Sequence, residues 1–283
     1  MAGRPLYPKG ADRILEVRRA VSYNRRQVPR IWLALAVLFC GAARGAAPSY
    51  SAAGIVSTAS YAPGPFASNT LITIFGAGLA RSAQGVTAAD IVNNSLPSEL
   101  NYTRVTIDGW SVPLLYVSEG QINLLIPPKQ AKGPAKLRVA REGQAGPEVT
   151  ISVVDASPAL FVSAAGLAIA THGDNSVITP EHPAAGGELI VIYAAGMGKT
   201  DAMPTNGDIP PYASQLVNRG SLQVLLDGVA GDPAQVRYAG LTPGSAGLYQ
   251  INVVLPDKPG ADPELRLSIG GVVSQAGVKL PLR

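Results

Sequence analysis

Four side chains of metal-ligand type stand close together in this 283-residue sequence: His172, Asp174, Glu181 and His182. Imidazole nitrogens and carboxylate oxygens are ordinary ligands of Zn²⁺ and other divalent ions. His172-x-Asp174 and Glu181-His182 can converge if the chain between them turns back on itself. A metal-dependent hydrolase built on His172, Asp174 and His182 is therefore the catalytic alternative. A working site needs three or four fixed ligands. This segment is instead a polar, turn-rich stretch leading to Pro183-Ala184, and it holds both histidines of the chain. The composition favours a hydrogen-bonded surface turn, with no metal and no cofactor. Other catalytic patterns are incomplete. Gly198-Lys199-Thr200 follows an apolar run as the end of a phosphate loop does, but Tyr193 stands where the loop needs its first glycine, and Pro204, Pro210 and Pro211 exclude a following helix. No G-x-S-x-G nucleophile elbow occurs. Asp227 and Asp232 form a possible carboxylate pair, yet Asp227 opens an Asp-Gly turn, as Asp108 does. With no acid, base and nucleophile set, the chain reads as a non-enzyme.

Residues suited to binding are clearer. Trp110 directly follows Asp108-Gly109, at the tip of an expected hairpin. An aromatic ring there can stack on a sugar or anchor a partner, or fold back onto its own sheet. Tyr102 is the candidate extension of that platform. Gln121 and Asn123 recur as Gln250 and Asn252. In a strand both amides of a pair point to one face. They can meet a sugar, but their recurrence beside different loops favours a structural role, because buried amides must be paired.

The elements that must carry these residues are short strands. Leu137–Arg141, Val149–Val153 and Leu265–Ile269 alternate apolar and polar, with one face on a core and one in water. Leu71–Phe75 and Leu189–Tyr193 are nearly continuous apolar runs, expected as central strands covered on both faces. Asp108-Gly109 and Asp227-Gly228 predict tight type I′ hairpins. Thr87–Asn93 allows one turn of helix. The stretch from Lys199 to Leu216, rich in Pro, Gly, Asp and Asn, predicts an exposed loop and is the second candidate contact surface.

Three blocks of this pattern occur twice. Leu71–Leu79 returns as Leu189–Met197, the block Val105–Gly109 is matched by Leu225-Leu226-Asp227-Gly228, and Gln121–Pro127 returns as Gln250–Pro256, at offsets of 118, 119 and 129 residues. A tandem duplication of a unit of about 100 residues accounts for this. The expected architecture is all-β: two tandem Ig-like antiparallel sandwiches, residues 49–157 and 158–283, behind an N-terminal segment, residues 1–47.

That segment dominates the charge. The calculated pI of 9.2 suggests a basic protein. Residues 1–47, however, hold nine of the 23 Lys/Arg and two of the 19 Asp/Glu. The remainder has 14 basic and 17 acidic side chains, a formal net charge of −3. Nucleic acid is thus not an expected partner. Arg25, Arg26 and Arg30 precede a 13-residue apolar run, Ile31–Ala43, and then small residues. This is the order of a secretory signal, and the run is short for a membrane span. A cleaved signal is expected, with an uncleaved anchor as the alternative and the only link to a membrane. Cys40, the single cysteine, lies in that run, so the body has no disulfide.

Several motifs also carry a resemblance. Gly187–Gly198, Tyr238-Ala239-Gly240-Leu241, Gly247–Val253 and Leu114–Asn123 resemble the Solibacter-type uncharacterised C-terminal domain family, over about residues 50–283. Each unit more loosely resembles an IPT/TIG Ig-like domain: a strand ending in Gly-x-Gly, a hairpin, a strand ending in Pro. The resemblance implies exported bacterial proteins and no known activity. In that family the region usually follows propeller or other repeat domains, whereas here it stands almost alone behind the leader. The function expected from the whole is a non-catalytic surface module that attaches to polysaccharide or to another surface protein. A rigid spacer without a ligand is the further alternative.

Overall fold

A computed structural model describes residues 46–283. The expected signal or anchor, its apolar run and Cys40 lie outside the described residues. Among the described residues no helix is long and apolar enough to cross a membrane.

The chain is all-β. Its first half forms β1 (Ser49–Ser57), β2 (Phe66–Ala67), β3 (Leu71–Ala77), β4 (Gln84–Gly85), β5 (Glu99–Leu100), β6 (Thr103–Ile107), β7 (Trp110–Ser111), β8 (Leu114–Val117), β9 (Gln121–Leu125), β10 (Gly133–Arg141) and β11 (Gln144–Val154). One sheet has the order β1-β3-β9-β8-β4; the facing sheet runs β2-β11-β10-β6-β5, with β7 paired to β6. The second half forms β12 (Ala159–Leu160), β13 (Ala170–His172), β14 (Leu189–Ala195), β15 (Ser214–Gln215), β16 (Leu222–Leu226), β17 (Val229–Ala230), β18 (Val236–Leu241), β19 (Tyr249–Val254), β20 (Leu265–Ile269) and β21 (Val272–Val273). Its sheets are β12-β14-β19-β18-β15, with β13 on β14, and β17-β16-β20-β21. The pairs β3–β9, β8–β9 and β6–β7 of the first sandwich thus return as β14–β19, β18–β19 and β16–β17, as the repeated sequence blocks require. Each sandwich closes over its own apolar cluster, one around Ile72, Leu124 and Leu137, the other around Ile190, Ile251 and Leu267.

The hairpins form as their sequences predict. Asp108 and Gly109 both have positive φ, 51° and 82°, and Asp227 and Gly228 repeat this at 47° and 78°. That is the type I′ turn, whose twist matches the strands it joins. Each aspartate also fixes the neighbouring strand. Asp108 Oδ1 accepts the Lys136 N–H at 2.8 Å, and Asp227 Oδ1 accepts the Glu264 N–H at 2.8 Å. Ala88–Asp90 forms one 3₁₀ turn, within the stretch expected to be helical, with Asp90 accepting from the Thr87 N–H at 2.8 Å.

Two expectations need correction. The apolar runs of β3 and β14 are central in their sheets but their second faces are only partly covered: Thr73 and Ala195 are buried there while the strand ends are open. Phe75 and Leu189 are about 40% exposed. Phe75 is shielded on its open side by Tyr61, whose ring stacks at 6.3 Å. The stretch from Lys199 to Leu216 is not a free loop. Its central part is a strap laid on the first sandwich. The Leu96 N–H donates to Gly207 O (2.8 Å), the Ile209 N–H to Asn94 O (3.0 Å), and the Asn94 amide to Ile209 O (2.6 Å). Backbone groups of an irregular segment need partners, and this loop finds them across the junction.

Other contacts join the halves. Tyr249, fully buried in β19, donates its hydroxyl to Gly198 O at 2.6 Å and accepts from the Asn69 amide of the first sandwich at 3.2 Å. Ser157 Oγ donates to Pro65 O at 2.8 Å, and Ala59 packs with Ala159 and Ala195. Gly196, at φ 70°, lies so near Ser157 that a Cβ there would sit 2.0 Å from its carbonyl oxygen. Residues 46–283 accordingly form one compact body.

Candidate functional site

Trp110 begins β7, immediately after the type I′ turn, paired with Ile107 of β6. Ile107 is buried, whereas Trp110 is 79% exposed. The ring does not fold back onto the sandwich. A large aromatic is ordinarily buried, so an indole held in water by a rigid hairpin is a candidate contact.

The strap reaches the same edge. Asn206 Nδ2 donates to Ser111 O, next to Trp110, at 3.1 Å, and Ser95 bridges Asp208. The strap is held in shape from within: the Thr205 N–H and hydroxyl both donate to the Asp208 carboxylate. It continues to Tyr212, which is 80% exposed. Between the strap and Asn93-Asn94 lies a cleft of about 290 Å³, lined also by Met203, Asp208, Tyr212 and Ser214. Asn93 and Asn94 both have positive φ, 52° and 59°, a conformation that short polar side chains tolerate. The hairpin and the loop, read separately from the sequence, thus meet at one junction. They touch through Asn206 and Ser111; the cleft along the strap offers one exposed ring, Tyr212, with several amides and a carboxylate, and the Trp110 indole stands outside its lining. Aromatic faces stack on apolar ring surfaces, and amide and carboxylate groups pair with hydroxyls.

Tyr102 does not extend this platform. It sits with Asn101 in the β5–β6 turn, both at positive φ, whereas Trp110 lies at the other end of β6. At the rise of a β-strand they are about 17 Å apart along the strand. Tyr102 is exposed but alone.

The His172 cluster is arranged as a hydrogen-bonded turn and not as the metal site of the catalytic alternative. His172 ends β13 and its Nδ1 meets Glu188 Oε1 at 2.5 Å, while its Nε2 meets the His182 backbone carbonyl at 3.2 Å. Both ring nitrogens are occupied. Asp174 Oδ1 accepts the Ser176 hydroxyl and N–H at 2.6 and 2.9 Å, and these bonds hold its carboxyl below the usual carboxylate range. Among the described residues no three His, Cys, Asp or Glu side chains converge as metal ligands. The cluster lines a shallow cleft of about 650 Å³ with Arg283. Glu188 raises the His172 pKa, chiefly through their hydrogen bond. Sequence reasoning missed Glu188, which lies 16 residues away at the start of β14.

The remaining candidates are structural. Gln121 Nε2 donates to Asn123 Oδ1 at 2.8 Å, and Thr73 Oγ1 to the same oxygen at 3.0 Å; Gln250 and Asn252 repeat the first bond at 3.0 Å. The amides pair with each other on the outer sheet face. Asp232 caps a short turn by accepting the Ala234 N–H at 2.9 Å and does not pair with Asp227. Gly198 and Lys199 form no phosphate loop: Gly198 O accepts the Tyr249 hydroxyl, and Lys199 O the Val217 N–H.

This architecture is that of the Ig-like sandwiches, and the sequence agrees with it. Residues 55–158 match the IPT/TIG domain model. No curated protein sequence matches the chain. Among solved structures it is similar to a surface glycan-binding protein, PbSGBP-B, from Prevotella bryantii, at 11% identity over 83% of this chain and 42% of that one, with a TM-score of 0.27. It is similar to the SGBP-B of a mixed-linkage glucan utilization locus of Bacteroides ovatus, solved with a mixed-linkage heptasaccharide, at 8% identity over 76% of this chain and 44% of that one, TM-score 0.31. Domains 5–6 of the S-layer protein SbsC align at 10% identity over 83% of this chain and 98% of that one, TM-score 0.25. The chain spans less than half the length of the first two structures.

Proposed function

We propose that this protein is an exported, non-catalytic surface module that attaches to polysaccharide through the junction of Trp110 and the strap, and that it belongs with the Solibacter-type proteins its motifs resemble. The observation that carries the reading is Trp110: an indole 79% exposed at the tip of a type I′ hairpin, adjoining a strap that the second sandwich presents beside it. Rigid aromatics lose little entropy on binding and dominate contact energy. Further along the strap, Asn93, Asn94, Asp208 and Tyr212 line a cleft with the polar groups that a sugar requires. Polysaccharide is favoured over a protein partner because the cleft along the strap is lined by the Asn93 and Asn94 amides, the Asp208 carboxylate and the Ser214 hydroxyl beside Tyr212.

The test is binding of the purified protein to a panel of bacterial and plant polysaccharides, by affinity electrophoresis and calorimetry, with Trp110→Ala and Tyr212→Ala alongside. The reading expects at least one glycan to bind and both variants to weaken it. Binding that both variants retain in full would sink the site. A panel with no binder would favour the spacer reading, which the cross-junction hydrogen bonds also suit.

A further inference from the structure

One position that is interior in the first sandwich is open to solvent in the second. In the first, Val112 follows β7; its N–H donates to Val105 O at 3.0 Å, and its side chain is fully buried in the core. The residue in the same place in the second is Gly231, whose N–H donates to Val224 O at 2.9 Å. The backbone path is repeated, but the side chain that seals the first sandwich is missing from the second. A slot of about 390 Å³ opens there between β16 and β19. Leu222, Val224, Val236, Val253 and Leu255 line it, and Asp232 and Asp257 stand at its rim. The strand beneath registers the loss: Leu226 is half-buried where its counterpart Ile107 is buried.

The glycine is not demanded by the backbone. Gly231 does not occupy the left-handed region, and a Cβ built on it would meet only Val224 O, at an ordinary 3.5 Å. A valine would fit, as it does in the first sandwich. The slot is of the size and lining of small-ligand sites, which are mostly apolar with a few polar groups at fixed places. Its counterpart in the first unit shows what it accommodates: an aliphatic group. Its rim shows the sign of the head. Two aspartates line the slot, Asp232 with Oδ1 accepting the Ala234 N–H and Oδ2 left over; neither takes part in an ion pair among the described residues, and no Lys or Arg lines the slot.

We propose that this slot binds a small primary alkylammonium, with the aliphatic chain between the sheets and the cationic nitrogen at Asp232 and Asp257. The chain gains by leaving water. The exposed carboxylates add an attraction worth about fivefold in affinity, the upper end for solvent-accessible ion pairs.

The probes are n-hexylammonium, n-hexanol and hexanoate, titrated into the purified protein by calorimetry and by methyl-resonance shifts of the lining Leu and Val residues. Hexylammonium is expected to bind about fivefold more tightly than hexanol, and hexanoate more weakly than either. Gly231→Val is expected to weaken hexylammonium and hexanol alike while melting no lower than the parent, since its side chain occupies the part of the slot beside Val224. The joint variant Asp232→Asn, Asp257→Asn leaves the core untouched and is expected to bring hexylammonium down to the affinity of hexanol. Failure of hexylammonium to bind overturns the proposal. So does hexanoate binding as well as hexylammonium, or a Gly231→Val protein that folds and binds as tightly as the parent.

Discussion

Tyr249→Phe removes one oxygen from the junction between the sandwiches, and its cost follows from what that oxygen touches. The hydroxyl is fully buried; it donates to Gly198 O at 2.6 Å and accepts from Asn69 Nδ2 at 3.2 Å. Burial pushes its ionisation far above the ordinary tyrosine range, so it is a neutral donor at any working pH. Phenylalanine fills the same space but leaves a carbonyl and an amide N–H without partners. Leaving a buried group unpaired costs about 1–3 kcal/mol, and the Asn69 Oδ1 is already without a partner, so no spare bond compensates. A loss of about 2 kcal/mol corresponds to a fall of about 4–8 °C in melting temperature for a body of this size. Urea and thermal unfolding of Tyr249→Phe, Asn69→Ala and the double variant form the assay. Asn69 has φ 55°, so alanine there adds a backbone penalty of about 1–2 kcal/mol, but that penalty enters two arms of the cycle and cancels. The coupling should be about 1 kcal/mol, within a single transition. Additive losses, or a Tyr249→Phe protein as stable as the parent, would refute the account of the junction.

Gly196→Ala should cost more than about 3 kcal/mol or prevent folding, because its Cβ would overlap Ser157 O while the residue keeps a positive φ; solubility and melting temperature check this. Asp108→Ala and Asp227→Ala should each lose about 1–2 kcal/mol, since both surrender the hydrogen bond to the neighbouring strand and an easy αL residue. The fall should be similar for the two, as denaturant midpoints will show. His172 gains a partner on folding and its pKa rises. Its contribution is therefore complete below the ordinary histidine value and is lost as pH rises through the raised one. Glu188→Gln should lower the His172 pKa read by NMR titration and flatten that decline; an unchanged titration would contradict the pairing.

Local signals in the sequence were enough for much of the fold. Asp108-Gly109 and Asp227-Gly228 form the turns their residue types favour, and the alternation of Leu137–Arg141 marks a strand with one face inward. These depend on neighbours in the chain. What escaped depends on distant residues. Asn69 and Tyr249 are 180 residues apart, and nothing in either segment announces the other. The loop from Lys199 to Leu216 reads as exposed because it is polar and proline-rich, but its backbone groups find partners at Asn94 and Leu96. The coverage of β3 was misjudged because Phe75 and Leu71 are apolar without being core residues: one stacks on Tyr61, and the other lies against Gly247 at the junction. For the candidate site, Trp110 was legible from its place after a turn. Tyr212 carries a usable signal, an aromatic directly after Pro210-Pro211. The separation of Tyr102 from Trp110 follows from the length of β6 once its ends are known.

The central claim is that the exposed indole at the junction binds glycan and contributes nothing to the fold. The most direct measurement sets the melting temperature of Trp110→Ala beside its affinity for a polysaccharide that the parent protein binds. The account predicts stability within about 0.5 kcal/mol of the parent, as for an exposed residue, and an affinity at least about tenfold weaker. An affinity unchanged by the substitution, or a loss of binding that only accompanies unfolding, would contradict it.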